Sequence, residues 1–417
     1  MGAQWPQPKS PLSRVDFPGA PRADAVDAAE NPDPRFWHQR RVFVTGHTGF
    51  KGGWLCAWLL KMDAAVTGYA LPPPSEPSFY ALCGLERRMQ SLIADARDLD
   101  RLCQALASAQ PSVVFHMAAQ SLVRRSYREP VETFATNVMG TVNLLEAVRR
   151  TPSVKAVVIA TSDKCYDNRE WLWGYRENDR LGGRDPYSAS KACAELAIEA
   201  YRRSFFSGVD APGVASVRAG NVIGGGDWGE DRLVPDAVRA VIARRPLILR
   251  HPEAIRPWQH VLDPLSGYLR LAERLAEGGQ RFAEAWNFGP ASDQTVTVRA
   301  LAEKVVEGLG GGTVEVAQSP VLSAAEASDA APETAILKLD ATRARRMLGW
   351  RPRLDLAQAI GLAAEWYRRA LDGRGADMLD FTNAQIDRYE RLTRSDAAAG
   401  LSPDSHFLSL SPREREG

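Results

Sequence analysis

A glycine-rich turn follows the first apolar run of the chain and leads directly into a segment with helical periodicity. The run at 41–45 reads RVFVT, and the turn after it contains Gly46, Gly49 and Gly52. Glycines at this spacing allow a tight turn, a close backbone approach to a pyrophosphate and close helix–strand packing, while the helix amino terminus adds partial positive charge. An ordinary turn is the alternative for an isolated glycine triplet, but the flanking strand and helix favour a dinucleotide site.

Apolar runs of strand length alternate with helix-length segments over the first half of the chain. The predicted strands lie at 41–45, 64–70, 91–95, 112–118, 155–162 and 214–220, and the predicted helices at 49–62, 98–108, 129–150 and 187–206. Strands that are apolar almost throughout indicate a parallel sheet covered on both faces. We therefore predict an α/β fold, namely a Rossmann-type doubly wound parallel sheet with a smaller mixed α/β substrate-binding domain.

The length of 417 residues corresponds to two or three domains. Residues 1–34 are rich in proline and lack a periodic apolar pattern, so we expect a disordered leader there. The dinucleotide-binding domain is predicted at 36–220, and a second domain, mainly for binding substrate and interleaved with the first, is predicted at 221–390. A flexible tail is expected at 395–417.

Charge and cysteine content exclude several classes of protein. The 52 basic and 51 acidic residues leave a formal charge of +1, which predicts no nucleic-acid or anionic-membrane partner. The sequence has neither a secretory signal nor a run of ~18 apolar residues that could span a membrane. Five cysteines without CxxC spacing indicate neither a disulfide framework nor a zinc site. A cytoplasmic protein without a metal is therefore expected.

Tyr187 and Lys191 form a YxxxK pair on a predicted helix. Residues four apart share one helix face, so the Lys191 ammonium is expected beside the Tyr187 phenol. A neighbouring cation should lower the pKa of the phenol and make it a general base. The motif also occurs by chance, but its place about 140 residues after the glycine turn favours the catalytic interpretation.

Ser162, Asp163 and Lys164 follow the fifth predicted strand. Ligands of open α/β sheets bind outside the carboxyl ends of the strands, so these side chains are expected to face the cleft. An acid and an amine on one substrate can divide an elimination between them, one protonating the departing hydroxyl and the other removing a proton from carbon. A solvated loop ion pair is the alternative.

The acidic residue that holds the adenine ribose in many dinucleotide sites is missing after the second strand, where the chain reads TGYA at 67–70. Asp95, after the third strand, could accept a hydrogen bond from the adenine amine instead. Its alternative role is to cap the helix that begins near Asp98.

Several polar residues beyond the sixth strand are candidates for a diphosphate or sugar. Arg218, Arg232 and Arg256 could bind phosphates bidentately, and Asn221 and His260 lie near them in the sequence. Surface salt bridges are the alternative for any one of these arginines. A locally basic cleft for a sugar nucleotide is therefore predicted.

With these motifs assembled, the chain resembles the extended short-chain dehydrogenase/reductase superfamily and, within it, the CDP-glucose 4,6-dehydratases. The resemblance covers about 36–390 and is carried by VFVTGHTGFKGGWL, TSDKCYDNREWLWGYREND, DPYSASKACAE, RAGNVIGGGDW and RPWQHVLDPLSGYL. The glycine turn and the Tyr/Lys pair identify only the superfamily, whereas GHTGFKGGWL and TSDKCYDN are much narrower.

The resemblance implies a three-stage reaction on bound NAD. Tyr187 would remove the O4 proton while Ser162 positions that hydroxyl, and Lys191 would hold the nicotinamide ribose and the phenolate. Asp163 would protonate the C6 hydroxyl, and Lys164 stands where the dTDP-glucose relatives carry a glutamate base. The implied cofactor-binding residues are Gly46, Thr48, Gly49, Phe50, Lys51, Gly52, Asp95, Ala118, Ala119, Tyr187 and Lys191. The substrate-binding candidates are Asn221, Arg232, Arg256 and His260.

Two alternatives stay open at this stage. The Asp-Lys pair also occurs in inverting UDP-sugar dehydratases, so a UDP- or GDP-hexose 4,6-dehydratase or epimerase is possible within the superfamily. A non-catalytic sugar-nucleotide sensor is disfavoured because it needs no complete catalytic set. The resemblance further implies a homodimer in which the helices at 129–150 and 187–206 form a four-helix bundle; burial of these helices within the monomer is the alternative.

Overall fold

The structure is a computed structural model that describes residues 31–290, 296–317, 336–373 and 378–398, with side chains up to residue 392. Most of the predicted leader and tail lies outside the described residues. The strands are β1 (Arg41–Thr45), β2 (Ala65–Ala70), β3 (Gln90–Ile93), β4 (Val113–His116), β5 (Ala156–Ala160), β6 (Gly213–Ala219), β7 (Val222–Ile223), β8 (Leu247–Leu249), β9 (Ile255–Arg256), β10 (Gln259–His260), β11 (Ala285–Phe288), β12 (Val296–Thr297) and β13 (Val314–Val316).

The helices lie between and beyond these strands. They are α1 (Pro34–Trp37), α2 (Phe50–Lys61), α3 (Phe79–Leu82), α4 (Leu99–Ala109), α5 (Val123–Arg128), α6 (Pro130–Phe134), α7 (Gly140–Arg149), α8 (Pro186–Phe205), α9 (Leu233–Ile242), α10 (Leu262–Gly278), α11 (Val298–Gly308), α12 (Thr342–Met347), α13 (Leu356–Leu371) and α14 (Met378–Ala398). A π-helical turn at Ala135–Met139 joins α6 to α7, so the helix predicted at 129–150 is a composite.

Seven parallel strands form the central sheet in the order β11-β6-β5-β4-β1-β2-β3. The order reverses between β1 and β4, which creates the crevice where dinucleotides bind in doubly wound sheets. The Rossmann-type fold predicted from the sequence is confirmed. The seventh strand, β11, comes from the segment assigned to the second domain, and it pairs with β6 through Ala285 and Ser216.

Two apolar cores cover the faces of the sheet, as its apolar strands require. One face packs against α2 and α10 and contains Trp54, Leu55, Trp58, Leu262 and Leu265. The other packs against α4, α7 and α8 and contains Leu102, Leu106, Leu144, Leu145 and Ile198. Because α10 packs on the sheet although it follows residue 221, the chain returns to the first domain after entering the second.

The described ends of the chain are anchored to the body of the protein. Asp33 caps α1 through the Arg35 amide, and its own amide donates to Glu273 on α10 at 2.9 Å. The Asn31 side chain donates to the Glu390 carbonyl on α14. The last four residues of the predicted leader, 31–34, are therefore structured, and α14 extends into the start of the predicted tail. The domain boundary at 221 stays a prediction.

Candidate active site

The glycine turn holds the end of β1 close to the start of α2. Gly46 has φ +73°, and a Cβ atom there would lie 2.6 Å from the Ala118 amide nitrogen. A Cβ atom at Gly52 would lie 2.1 Å from the Gly46 carbonyl oxygen, so both positions exclude side chains. A Cβ atom at Gly49 would meet only that same oxygen, at 3.4 Å. The outer side of the turn is therefore open to a ligand.

The amino terminus of α2 fits a pyrophosphate. Gly49 is its N-cap residue and provides no side-chain hydrogen bond, so the first amides of the helix face the open side of the turn without a capping side chain. The Thr48 hydroxyl donates to the Leu71 carbonyl, which ties the turn to the end of β2. The Phe50 ring faces Gly224, where a Cβ atom would lie 3.1 Å from the ring edge. The residues present fit a dinucleotide.

Asp95, which follows β3, is paired with Arg97. Its carboxylate accepts the Arg97 amide at 2.8 Å and the Arg97 guanidinium, which lowers the pKa of Asp95. Asp98, and not Asp95, caps α4 by accepting the Arg101 amide, so the capping interpretation of Asp95 was wrong. Asp95 is half-buried and already paired, and its contact with adenine stays a prediction. Ala118 and Ala119 are half-buried after β4.

Tyr187 and Ser162 meet above the carboxyl end of β5. Asp185 caps α8 by accepting the Ser188 amide at 2.9 Å, and this fixes the first turn that carries Tyr187. Burial raises the pKa of Tyr187 to about 12, against the lowering effects of a hydrogen bond with Ser162 and the charge of Arg232. The sequence predicted a lowered pKa because of Lys191, and this prediction is wrong for the described structure.

The Lys191 ammonium lies at the end of β5. It donates to the carbonyl of Ala160, the last residue of β5, at 3.4 Å. Burial lowers the pKa of Lys191 to about 8. The lysine therefore lies where its charge can act on a ligand at the end of β5.

Asp163 and Lys164 form a short 3₁₀ turn directly after β5. The Ser162 hydroxyl donates to Asp163 Oδ1 at 3.0 Å and accepts the Lys164 amide at 3.1 Å. Burial raises the pKa of Asp163, opposed by the charges of Lys164 and Arg256. Asp163 Oδ2 is buried and has no hydrogen-bond partner among the described residues. A raised pKa and a free oxygen suit a carboxyl group that donates a proton.

Two predicted arginines lie at this cleft. The Arg232 guanidinium donates to the Asp227 carboxylate at 3.0 Å and to Ser121 Oγ at 2.7 Å. Its positive charge lowers the pKa of Tyr187. Arg256 is buried and donates to the Ile255 carbonyl at 3.0 Å. Its positive charge opposes the effect of burial on the pKa of Asp163.

Asn221 follows β6, and its carbonyl accepts the Gln259 amide at 3.0 Å. Its side chain is half-buried. Asp227 and Ser121 were not predicted to belong to the site, although Asp227 lies within the GGGDW motif.

Two other predicted ligand contacts are corrected by the structure. Arg218 is buried and binds Glu195 with two guanidinium nitrogens at 2.7 and 2.9 Å, and it also donates to the Tyr166 hydroxyl. It is therefore committed to a structural ion pair and does not contribute to a basic cleft. His260 is fully buried with its ring edge-on to Trp54, and its Nδ1 accepts the Leu262 amide, so it packs in the core instead of facing substrate.

The described part of the chain contains neither a candidate metal site nor a candidate membrane span. No group of three or more His, Cys, Asp or Glu residues in these ranges could hold a metal ion. No helix among them is both long and apolar enough to cross a bilayer. The five cysteines all lie within the described ranges, and no disulfide bond joins any of them.

The chain belongs to the GDP-mannose 4,6 dehydratase family, whose model matches residues 43–362. It is 49% identical to a CDP-glucose 4,6-dehydratase of Salmonella typhimurium over 365 residues, or 87% of this chain and 99% of the relative. A UDP-glucose 4-epimerase of Mycolicibacterium smegmatis is 29% identical over 79% of this chain and 98% of its own length. A dTDP-glucose 4,6-dehydratase structure from Streptomyces venezuelae, with NAD bound, has a TM-score of 0.66 at 26% identity and covers 80% of this chain and 98% of its own.

Proposed function

We propose that this enzyme is a hydro-lyase that uses bound NAD to convert CDP-glucose into CDP-4-keto-6-deoxy-D-glucose and water. The observation that carries the proposal is the meeting of two pairs of groups at the carboxyl end of β5. Tyr187 and Lys191 suit oxidation of an alcohol, and Asp163 and Lys164 suit elimination of water. The choice of cytidine is supported by the 49% identity with the Salmonella typhimurium enzyme.

The first stage removes the O4 proton. Tyr187 takes this proton as general base, and the hydroxyl of Ser162, already bound to the phenol, positions the O4 hydroxyl. When bound, NAD accepts the hydride from C4 and later returns it to C6, so the reaction has no net oxidation. Because burial raises the pKa of Tyr187, the nearby Arg232 and Ser162 must stabilise the phenolate.

The second stage eliminates water across C5 and C6. The 4-ketone makes the C5 proton acidic, and the departing C6 hydroxyl needs a proton. Asp163 supplies that proton, since burial raises its pKa and its Oδ2 is unpaired among the described residues. Lys164 removes the C5 proton, which requires its neutral form. Lys164→Met should abolish exchange of the C5 hydrogen with solvent while sparing C4 oxidation; persistent exchange would show that another group is the base.

Cofactor binding is assigned to the glycine turn and its surroundings. The open side of Gly49 and the uncapped start of α2 would receive the pyrophosphate. Lys191 would hold the nicotinamide ribose beside the end of β5, and Asp95 would contact the adenine.

The diphosphate of the sugar nucleotide would lie against Arg232 and Arg256. Asp227 and Ser121 hold the Arg232 guanidinium in place before a ligand arrives, so little side-chain entropy is lost on binding. Asn221, which follows β6, would also contact this ligand. Arg218 and His260 have no role in this binding.

A homodimer is proposed through α6, the π-helical turn, α7 and α8. These elements expose apolar side chains that the monomer leaves uncovered, including Val131 at 82%, Met139 at 50% and Leu196 at 60%. A patch of this kind favours a protein interface. The free thiols agree with a reducing compartment such as the cytoplasm.

The decisive experiment supplies the protein with NAD and, separately, CDP-, UDP-, GDP- and dTDP-glucose. The alkaline ultraviolet absorbance of a 4-keto-6-deoxy sugar reports dehydration. We expect turnover with CDP-glucose at a kcat/KM well above the others. Turnover only with another donor would transfer the proposal to a UDP- or GDP-hexose dehydratase, and a 4-epimer without the absorbance change would indicate an epimerase. The epimerase is retained as an alternative because the chain is 29% identical to a UDP-glucose 4-epimerase.

A further inference from the structure

The segment 162–165, which we call the elimination turn, carries the groups assigned to the loss of water. Thr161 precedes this turn and Tyr166 follows it. The side chains of both flanking residues contact the same ion pair, formed by Glu195 of α8 and Arg218 of β6. Both members of the pair are buried. The elimination turn is therefore attached at each end to one pair of charges inside the protein.

The amino-terminal end of the elimination turn is held by α8. The Thr161 hydroxyl donates to the Glu195 carboxylate. One residue earlier, the carbonyl of Ala160 accepts a hydrogen bond from the Lys191 ammonium at 3.4 Å. Lys191 and Glu195 lie four residues apart and so share a face of the helix. The helix that carries Tyr187 therefore contacts two consecutive residues at the end of β5.

The carboxyl-terminal end of the elimination turn is held by the other member of the pair. Arg218 donates to the Tyr166 hydroxyl at 2.8 Å, and its guanidinium carbon lies 4.9 Å from the centroid of the Tyr166 ring. The same hydroxyl donates to Asn287 Oδ1 on β11 at 2.7 Å. Because the hydroxyl is both a donor and an acceptor, two strands of the central sheet fix the position of Tyr166.

The Asp163 carboxyl group depends on the backbone of the elimination turn for its direction. Its Oδ1 accepts the hydroxyl of Ser162, a member of the same turn, at 3.0 Å, and its Oδ2 is buried without a hydrogen-bond partner among the described residues. A shift of the turn would therefore carry the carboxyl group with it. A misplacement of about 1 Å can cost roughly 100-fold in rate.

We propose that Glu195 and Arg218 are positioning residues for the loss of water, because they hold both ends of the elimination turn in place. The inference rests on the proposed function, since it needs an elimination at this turn. In that step Lys164 takes the C5 proton and the electrons of the C5–H bond form the C5–C6 double bond. The C6–O bond breaks, and its electrons leave with the hydroxyl, which Asp163 protonates to water. The ion pair exchanges no proton and acts only through the turn.

The test compares the two stages in single-turnover kinetics of the full chain with NAD and CDP-glucose. Absorbance of the reduced nicotinamide follows C4 oxidation, and the alkaline absorbance of the 4-keto-6-deoxy sugar follows completed dehydration. Tyr166→Phe removes the contact with Arg218 beyond Lys164, so dehydration should slow at least ~tenfold while C4 oxidation stays within about twofold. Thr161→Val loosens the end next to Ser162 and should slow both stages, because Ser162 positions the O4 hydroxyl.

Each variant has a matched control. Ser216→Ala removes another hydroxyl that donates to Glu195, but this one lies on β6 and not beside the turn. Tyr175→Phe makes the same change as in Tyr166→Phe on the ring stacked against Tyr166, with 5.2 Å between the centroids. Both controls should keep the wild-type rates. Thr161→Ser retains the hydroxyl and should restore both stages. Urea unfolding of every variant measures the loss of stability separately, since a purely structural role changes stability without changing the ratio of the two rates.

The outcomes separate this inference from the proposed function. Equal slowing of both stages in Tyr166→Phe, or rates equal to those of Tyr175→Phe, would overturn the inference while the wild-type protein remains a dehydratase. Thr161→Val provides the second variant if Tyr166→Phe does not fold, and wild-type rates in Thr161→Val would overturn the inference as well. A wild-type protein that dehydrates none of the four sugar nucleotides would refute the proposed function and this inference together.

Discussion

Glu195→Ala should destabilise the fold strongly, because the Glu195 carboxylate pairs with the buried guanidinium of Arg218. Its two oxygens accept hydrogen bonds from Arg218, Thr161 and Ser216. The side chains of Arg218 and Glu195 are 3% and 2% exposed, so water cannot replace the lost partner. Removing one member of a buried ion pair costs ~3–5 kcal/mol. We expect the free energy of unfolding to fall by about that amount.

Urea unfolding followed by fluorescence measures this loss, and the same helix provides a matched control. Glu199 lies one turn further along α8, is itself 39% exposed, and pairs with Arg203 and Arg202, whose side chains are 79% and 12% exposed. Glu199→Ala should cost at most ~1 kcal/mol. The double variant Glu195→Leu/Arg218→Met removes both buried charges and should recover much of the loss. If Glu195→Ala costs no more than Glu199→Ala, the description of Arg218 as a structural residue is wrong.

Three further predictions concern other parts of the molecule. Gly52→Ala would place a Cβ atom 2.1 Å from a carbonyl oxygen of the turn, so we expect NAD affinity to fall by at least ~tenfold in calorimetry. An unchanged affinity would contradict the assigned turn. Leu196→Glu puts a charge on the proposed dimer face and should shift sedimentation equilibrium toward the monomer; a stable dimer would exclude that face. Burial raises the pKa values of Asp263 and Glu273 to about 7, so the folded state keeps protons that the unfolded state releases between pH ~4 and 7. Unfolding free energy should therefore fall as pH rises through this window, and Asp263→Asn/Glu273→Gln should flatten the slope measured by urea titration; an unchanged slope would exclude these two groups as its source.

The order of strands and helices in the first half was predictable because its signals are local. An apolar run of five or six residues and a helical period can be recognised without knowing what packs against them. The pairing partner of β11 was not predicted, because its four residues carry no mark of that partner. Only its pairing with β6, some 70 residues earlier, places Ala285–Phe288 in the main sheet. α10 contacts both β6 and β11, and this long-range packing cannot be recognised from local sequence patterns.

The site shows the same limit at the level of single charges. The sequence alone does not distinguish the roles of Arg218 and Arg232. In the structure Arg218 forms a buried ion pair with Glu195, whereas Arg232 is held at the cleft by Asp227. The helical spacing of Tyr187 and Lys191 predicted a shared face, which α8 provides, but it did not predict the carbonyl that draws the ammonium away. The electrostatic support of the phenolate therefore has to come from across the cleft, where Arg232 belongs to a different part of the chain. A dehydratase built this way couples the acidity of its base to the residue that is proposed to bind the substrate diphosphate, so substrate binding and activation of Tyr187 share one cation.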